Sequence, residues 1–156
     1  MSGKRITREF ETTISAPVDK VFPLLCPVRE YDWIPQWQCE IIYTDSGVAE
    51  LGCVFSTRLN DGLDKEIWVV SHYEPGQQIS FVRTGPNTTI RFQVTLTPAG
   101  NKTTIRWYQE ITSLNSSGDQ VLAESTKQDY HARMTALNKM LDHYLQKGVA
   151  LNLDIT

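Results

Sequence analysis

A chain of 156 residues, 40% hydrophobic and 21% charged, has the length of about one domain and the balance of a globular protein rather than a disordered segment. Its formal net charge is −3, and apart from a cluster at Lys4, Arg5 and Arg8 the basic residues are scattered, which excludes the basic stripe that tracks nucleic-acid phosphates. No apolar run reaches the length of a secretory leader or the ~20 residues of a membrane span, so a cytoplasmic protein without stable membrane insertion is expected, one domain over residues 1–156 with its core at about 6–148.

The first strand is expected at about residues 6–15, where Ile6, Phe10, Thr12 and Ile14 alternate with Thr7, Glu9, Glu11 and Thr13. Ser15-Ala16-Pro17 then reads as a helix start, with Ser15 as cap and Pro17 near the first turn. Val18, Val21, Phe22 and Leu25 follow at helical spacing until Pro23 and Pro27 cut the helix short. A second short turn covers residues 29–33, and Pro35 pushes Ile34 out of helical geometry.

Four strands are placed next, at about residues 37–45, 51–59, 64–74 and 78–84. Their inward rows are Trp37, Cys39, Ile41 and Tyr43, then Leu51, Cys53, Phe55 and Thr57, and later Ile79 and Phe81. In the segment from Glu66 to Pro75 both faces are apolar, so either Ile67, Val69, Ser71 and Tyr73 or Trp68, Val70 and His72 can point inward. Asn60-Asp61-Gly62 reads as a tight hairpin turn, and Pro75-Gly76, Gly85-Pro86-Asn87 and Pro98-Ala99-Gly100-Asn101 separate the other strands closely enough to require antiparallel neighbours.

Two further strands follow. Ile90, Phe92, Val94 and Leu96 form the apolar row of one; Ile105, Trp107, Gln109 and Ile111 form that of the other, leaving Tyr108 on the wet face. The chain closes on a long amphipathic helix at about residues 122–147. Its apolar stripe is Tyr130, Met134, Leu137, Leu141, Tyr144 and Leu145, and Gly148 marks its end.

Cys26, Cys39 and Cys53 are odd in number and lack a CxxC pair, so neither a disulfide framework nor a zinc site is expected. The sequons at Asn87, Asn101 and Asn115 would matter only in a secreted chain.

Seven strands at ~4.8 Å spacing make a sheet ~34 Å wide, whereas a helix is only about 10 Å across. One helix cannot blanket that face. The sheet has to curl around it, with the short helices and the Trp33 segment closing the remaining side, and an aromatic-lined cleft is the natural remainder.

The stretches "TTISAPVDKVFPLL" and "REYDWIPQW", the mid-sheet "YEPG" and the terminal "LDHYLQKG" resemble the START-like superfamily, also called SRPBCC or Bet v 1-like, and within it the bacterial polyketide cyclase/dehydrase-type branch. The resemblance runs from Ile6 to Gly148. It implies an α+β helix-grip fold: a curved seven-stranded antiparallel sheet around a long C-terminal helix, with two short helices between the first two strands. It also implies a cavity used variously for lipid carriage, cyclisation, coenzyme Q binding or chaperone activation.

The cavity-lining candidates are Trp33, Trp37, Phe55, Tyr73, Phe81, Arg83, Phe92, Trp107, Gln109, Tyr130, His131 and Met134. Trp33 reads either as an aromatic gate or as a plug in the joint between helix and sheet. Gln109 and Thr12 interrupt apolar rows and need a partner, whether ligand, water or side chain. Arg83 either reaches a ligand carboxylate or stays solvated at its turn. His131 would be the natural general base of a proton-transfer reaction, yet no catalytic residue is assigned. Cys39 and Cys53 read as small buried hydrophobes rather than nucleophiles. No metal or other cofactor is expected.

The leading expectation is thus a binder of a small hydrophobic molecule, such as a lipid, isoprenoid or aromatic polyketide-like metabolite. A cyclase or dehydrase using the same cavity is the alternative. The third reading is a protein-binding module using Tyr108, and Trp68 if it faces outward. A homodimer is compatible with all three.

Overall fold

In the computed structural model, which describes residues 3–58 and 65–155, alternation of apolar and polar positions builds a curved, fully antiparallel seven-stranded sheet. The strands are β1 (Arg5–Ile14), β2 (Cys39–Tyr43), β3 (Val54–Thr57), β4 (Glu66–Glu74), β5 (Gln78–Thr84), β6 (Thr88–Ala99) and β7 (Lys102–Ser113). Their spatial order is β1-β7-β6-β5-β4-β3-β2, so hairpins join β2 through β7 in succession while β1 closes the far edge against β7. This is the helix-grip arrangement. The expected turn at Asn60-Asp61-Gly62 lies outside the described residues.

The inward rows of β1, β6 and β7 follow their period of two: Phe10 and Ile14, then Ile90, Phe92, Val94 and Leu96, then Ile105, Trp107 and Gln109 are all buried. In β4 both registers occur in turn. Val70 pairs with Phe81 and His72 with Ser80, so Ser71 is left over as a β-bulge. Trp68 and Val70 face inward before the bulge, and Tyr73 packs against the core after it.

Two inward assignments are corrected. Tyr43 is 57% exposed because β2 is an edge strand whose register slips between Ile41 and Tyr43. Leu51 is 67% exposed because it lies in the turn preceding β3, which starts only at Val54. Trp37 likewise precedes β2, although it is buried.

Helix α1 (Val18–Val21) runs into a 3-10 turn at Phe22–Leu25, and a second 3-10 turn covers Glu30–Asp32. Pro17, not Ser15, occupies the cap of α1, and no side chain caps it. Ser15 instead fastens the end of β1 to the last helix: its N–H donates to Asp142 Oδ1 (2.9 Å) and its carbonyl accepts from Gln146 Nε2 (2.7 Å).

The expected long helix is in fact two helices, α2 (Ser116–Glu124) and α3 (Lys127–Lys147). Asn115 caps α2 by accepting from the Gly118 N–H at 2.9 Å, and Thr126 caps α3 by accepting from the Asp129 N–H at 3.0 Å. The Thr126 backbone is extended (φ −101°, ψ 155°), which breaks the helical path between them. Gly148 closes α3 in the left-handed conformation (φ 72°). Helix α3 buries Tyr130, Met134, Asn138, Met140 and Leu141, and residues 151, 153 and 155 of the following tail pack back against the core.

Candidate functional site

A cavity of about 280 Å³ lies between the inner face of the sheet, α3 and the 30–37 segment. Its sheet wall follows from register. Phe55 pairs with Trp68 and Trp68 with Arg83 across β3, β4 and β5, while Phe81 pairs with Phe92 and Phe92 with Gln109 across β5, β6 and β7. Every one of these side chains lines the cavity. Trp68 is stacked on Phe55 (5.3 Å, 21°) and meets Phe81 edge-on (5.4 Å), and its indole N–H donates to Thr57 Oγ1 at 2.8 Å.

The helix wall is Tyr130, Arg133, Met134 and Leu137, one face of α3 at steps of three and four. Glu30, Trp33, Ile34, Gln36 and Trp37 close the joint side, and Ile155 adds a contact from the tail. Gln36 holds that tail through its Nε2, which donates to Asn152 Oδ1 (3.0 Å) and the Leu153 carbonyl (2.5 Å).

Trp33 and Trp37 are both fastened. Their indole N–H groups donate to the Leu24 and Pro27 carbonyls, each at 2.8 Å, and the two residues are 1% and 7% exposed. Trp33 is therefore a plug in the joint as well as part of the cavity wall, and a swinging gate would have to break a buried hydrogen bond.

Polar groups sit at defined places in this apolar shell. The Tyr130 hydroxyl is buried without a hydrogen-bond partner, and burial pushes its phenol up to about 12, so it stays protonated at neutral pH and can donate a hydrogen bond. Arg83 lies over the rings of Trp68 (4.8 Å) and Phe92 (5.8 Å). Its Nε is 3.6 Å from Glu66 Oε2, too far for a hydrogen bond, and is buried and unpartnered. Arg133 lies 6.0 Å from the Tyr130 ring; the residue is exposed overall, and partial desolvation of its guanidinium together with the nearby Arg83 charge lowers its pKa. Glu30 is half-buried and lines the cavity, and desolvation holds its carboxyl well above the ordinary 4.5.

Of the residues singled out from sequence, Trp33, Trp37, Phe55, Phe81, Arg83, Phe92, Trp107, Gln109, Tyr130 and Met134 surround this cavity. Tyr73 does not; it lines a separate hollow of about 190 Å³ with Phe22, Cys26 and Ile79. His131 does not either, because one residue beyond Tyr130 is a rotation of about 100° around the helix. It is exposed, with its ring edge-on to Phe10 at 5.0 Å. It is not placed to serve as a base in this cavity. Among the described residues no group of His, Cys, Asp and Glu is arranged to hold a metal ion, and no helix is long and apolar enough to cross a membrane.

Sequence reasoning missed Glu30, Gln36, Glu66, Arg133 and Ile155. Arg133 was within reach of the helical spacing, three residues after Tyr130, but a charged residue is discounted when an apolar stripe is traced. Trp68, left between two registers, belongs to the wall and not to the outer face.

A family model described as polyketide cyclase/dehydrase and lipid transport matches residues 5–142. No curated protein matches. Among solved structures, an uncharacterised protein from Rhizobium leguminosarum superposes with a TM-score of 0.70 at 14% identity, covering 94% of this chain and 97% of that one. Norcoclaurine synthase from Thalictrum flavum, in complex with dopamine and hydroxybenzaldehyde, gives a TM-score of 0.68 at 13% identity over 94% and 89%. DynU16, a protein of the dynemicin biosynthetic locus, gives 0.64 at 20% identity over 92% of this chain; the present chain spans only 48% of its length. At these identities the likeness is one of fold.

Proposed function

The chain belongs to the polyketide cyclase/dehydrase and lipid transport family, and from that premise we propose that it binds a small hydrophobic molecule in the cavity between the sheet and α3. The observation that carries this reading is the aromatic shell around about 280 Å³ of space, with Tyr130, whose hydroxyl is buried and unpartnered, among its lining residues. An apolar guest removes ring surface from water, and a polar group on that guest gives the phenol the partner it lacks. The volume lies just below the ~300–1,000 Å³ of ordinary ligand pockets, so the fit favours a compact molecule over a fully enclosed long-chain lipid. That another protein of this fold is seen with dopamine and hydroxybenzaldehyde supports small aromatic guests.

Native mass spectrometry of freshly purified protein, followed by thermal denaturation with a library of compact apolar compounds, tests the proposal. A co-purified small molecule or a raised melting temperature is the expected result; a guest-free protein that no compound stabilises sinks it.

The cyclase or dehydrase reading draws on one specific observation: Glu30 puts a carboxyl on the same cavity wall, and desolvation raises its pKa toward the range of a general acid. A carboxyl with a raised pKa beside a bound polyketide-like ring is suited to general-acid work. Turnover lost in Glu30→Gln while ligand binding persists would support catalysis, and binding without any turnover in the unmodified protein supports the carrier. Cys26, Cys39 and Cys53 are free, which suits a reducing compartment such as the cytoplasm.

A further inference from the structure

We propose that the guest of this cavity is a compact aromatic monocarboxylate, its rings among Trp68, Phe81 and Phe92 and its carboxylate held by Arg83, Arg133 and the Tyr130 hydroxyl. This rests on the reading of the cavity as a ligand site and adds the charge and shape of the occupant.

Three observations converge on an anion. The Tyr130 hydroxyl is unpartnered in a residue only 3% exposed, and as a protonated phenol it offers a hydrogen to an acceptor. The Arg83 Nε is likewise buried without a hydrogen bond, so its guanidinium retains an unused donor. Arg133 lines the same cavity close enough to Arg83 for the two charges to repel, and it makes no ion pair among the described residues. A carboxylate seated between them turns that repulsion into two attractions and accepts the free hydrogens.

The remaining charged groups set the valence. Glu66 stands 3.6 Å from Arg83 and offsets one cation, while Asp129 acts on Arg133 only weakly, one helical turn away. Desolvation biases the Glu30 carboxyl toward its uncharged form, so it offsets the two cations less than an ordinary carboxylate would. Arg8 and Glu9, which also act on the Tyr130 phenol, offset each other, so Arg83 and Arg133 against Glu66 leave an excess of positive charge that suits a monoanion better than a doubly charged phosphate. The rings on the sheet wall, stacked or edge-on to each other, fit a flat guest. The 280 Å³ available is about nine times the ~30 Å³ of a liquid water molecule, room for one or two rings.

The test compares 2-naphthoic acid with 2-naphthamide, equal in shape and different in charge, by isothermal titration calorimetry at pH 7.5 and low salt. The acid is expected to bind at least about tenfold more tightly than the amide. Arg133→Gln, at an exposed position that endangers folding little, is expected to cut acid binding about tenfold and amide binding by a clearly smaller factor; Tyr130→Phe should weaken the acid more than the amide. Equal affinity for acid and amide, or an acid preference untouched by Arg133→Gln, overturns the anion assignment while leaving a neutral-ligand carrier standing. Binding of neither probe, by a protein that other compact apolar compounds stabilise, overturns the aromatic-acid assignment alone; no binding of any apolar compound removes the ligand-site reading with it.

Discussion

Trp107 on β7 and Asn138 on α3 are joined by a hydrogen bond from the indole Nε1 to Asn138 Oδ1 at 3.1 Å, inside the core. Asn138 also donates through Nδ2 to the Met134 carbonyl one turn earlier (2.8 Å), so one side chain ties the sheet to the helical stretch that carries Tyr130, Arg133 and Met134. Asn138→Leu leaves the indole N–H unpaired in the interior, and the expected loss is about 1–3 kcal/mol of stability, measurable by urea denaturation. A variant as stable as the parent would mean that the bond does not fix the helix.

The break between α2 and α3 rests on Thr126. Thr126→Ala removes the acceptor for the Asp129 N–H and should cost about 1 kcal/mol, whereas Thr126→Ser should cost little. Thermal melting of the two variants side by side checks this, and identical melting temperatures would deny the cap its role.

Gly118 is where α2 docks on the turn between β5 and β6. A methyl group there would stand 2.1 Å from the Asn87 carbonyl oxygen, a backbone atom that also accepts from the Leu114 N–H at 2.8 Å and cannot yield freely. Gly118→Ala is expected to destabilise by about 1–3 kcal/mol even though alanine favours helix, and a stabilised variant would contradict the close approach.

Glu30 gives the protein a pH dependence of known sign. Its carboxyl holds its proton above the ordinary 4.5, so between that value and its own higher pKa the folded state binds more protons than the unfolded one. The stability it contributes is complete below about pH 4.5 and is lost as pH rises through the raised value. Glu30→Gln carries no such loss. Its melting temperature is expected to match the parent at pH 4 and exceed it at pH 8, and equal temperatures at both would show that the carboxyl is well solvated.

Leu137 lines the cavity without being fully buried, so Leu137→Trp is expected to occupy guest space at small cost to the fold. Stabilisation by apolar ligands should then fall by half or more, while the ligand-free melting temperature moves by only a few degrees.

Much of this was legible in the chain itself, for reasons that separate particular residues. Ile90, Phe92, Val94 and Leu96 alternate on a long paired strand, and such a strand keeps its period. Tyr43 lies on an edge, where one slipped pair turns a ring to solvent and no second neighbour resists. The start of α2 was hidden because Asn115, Ser116, Ser117 and Gly118 have loop chemistry; it is the same chemistry that caps a helix. Glu66 and Glu30 escaped because nearness across elements leaves no mark in spacing along one of them, whereas Arg133 had the right helical spacing but the wrong polarity for an apolar stripe.

Ser71 is a spacer between two rooms. By dropping out of step it lets one strand present Trp68 to the larger hollow and Tyr73 to the smaller, a task that strict alternation would refuse. Were that residue to pair in step, His72 would take the inward place and the phenol of Tyr73 would turn to solvent, so the dimensions of both rooms hang on one unpaired serine.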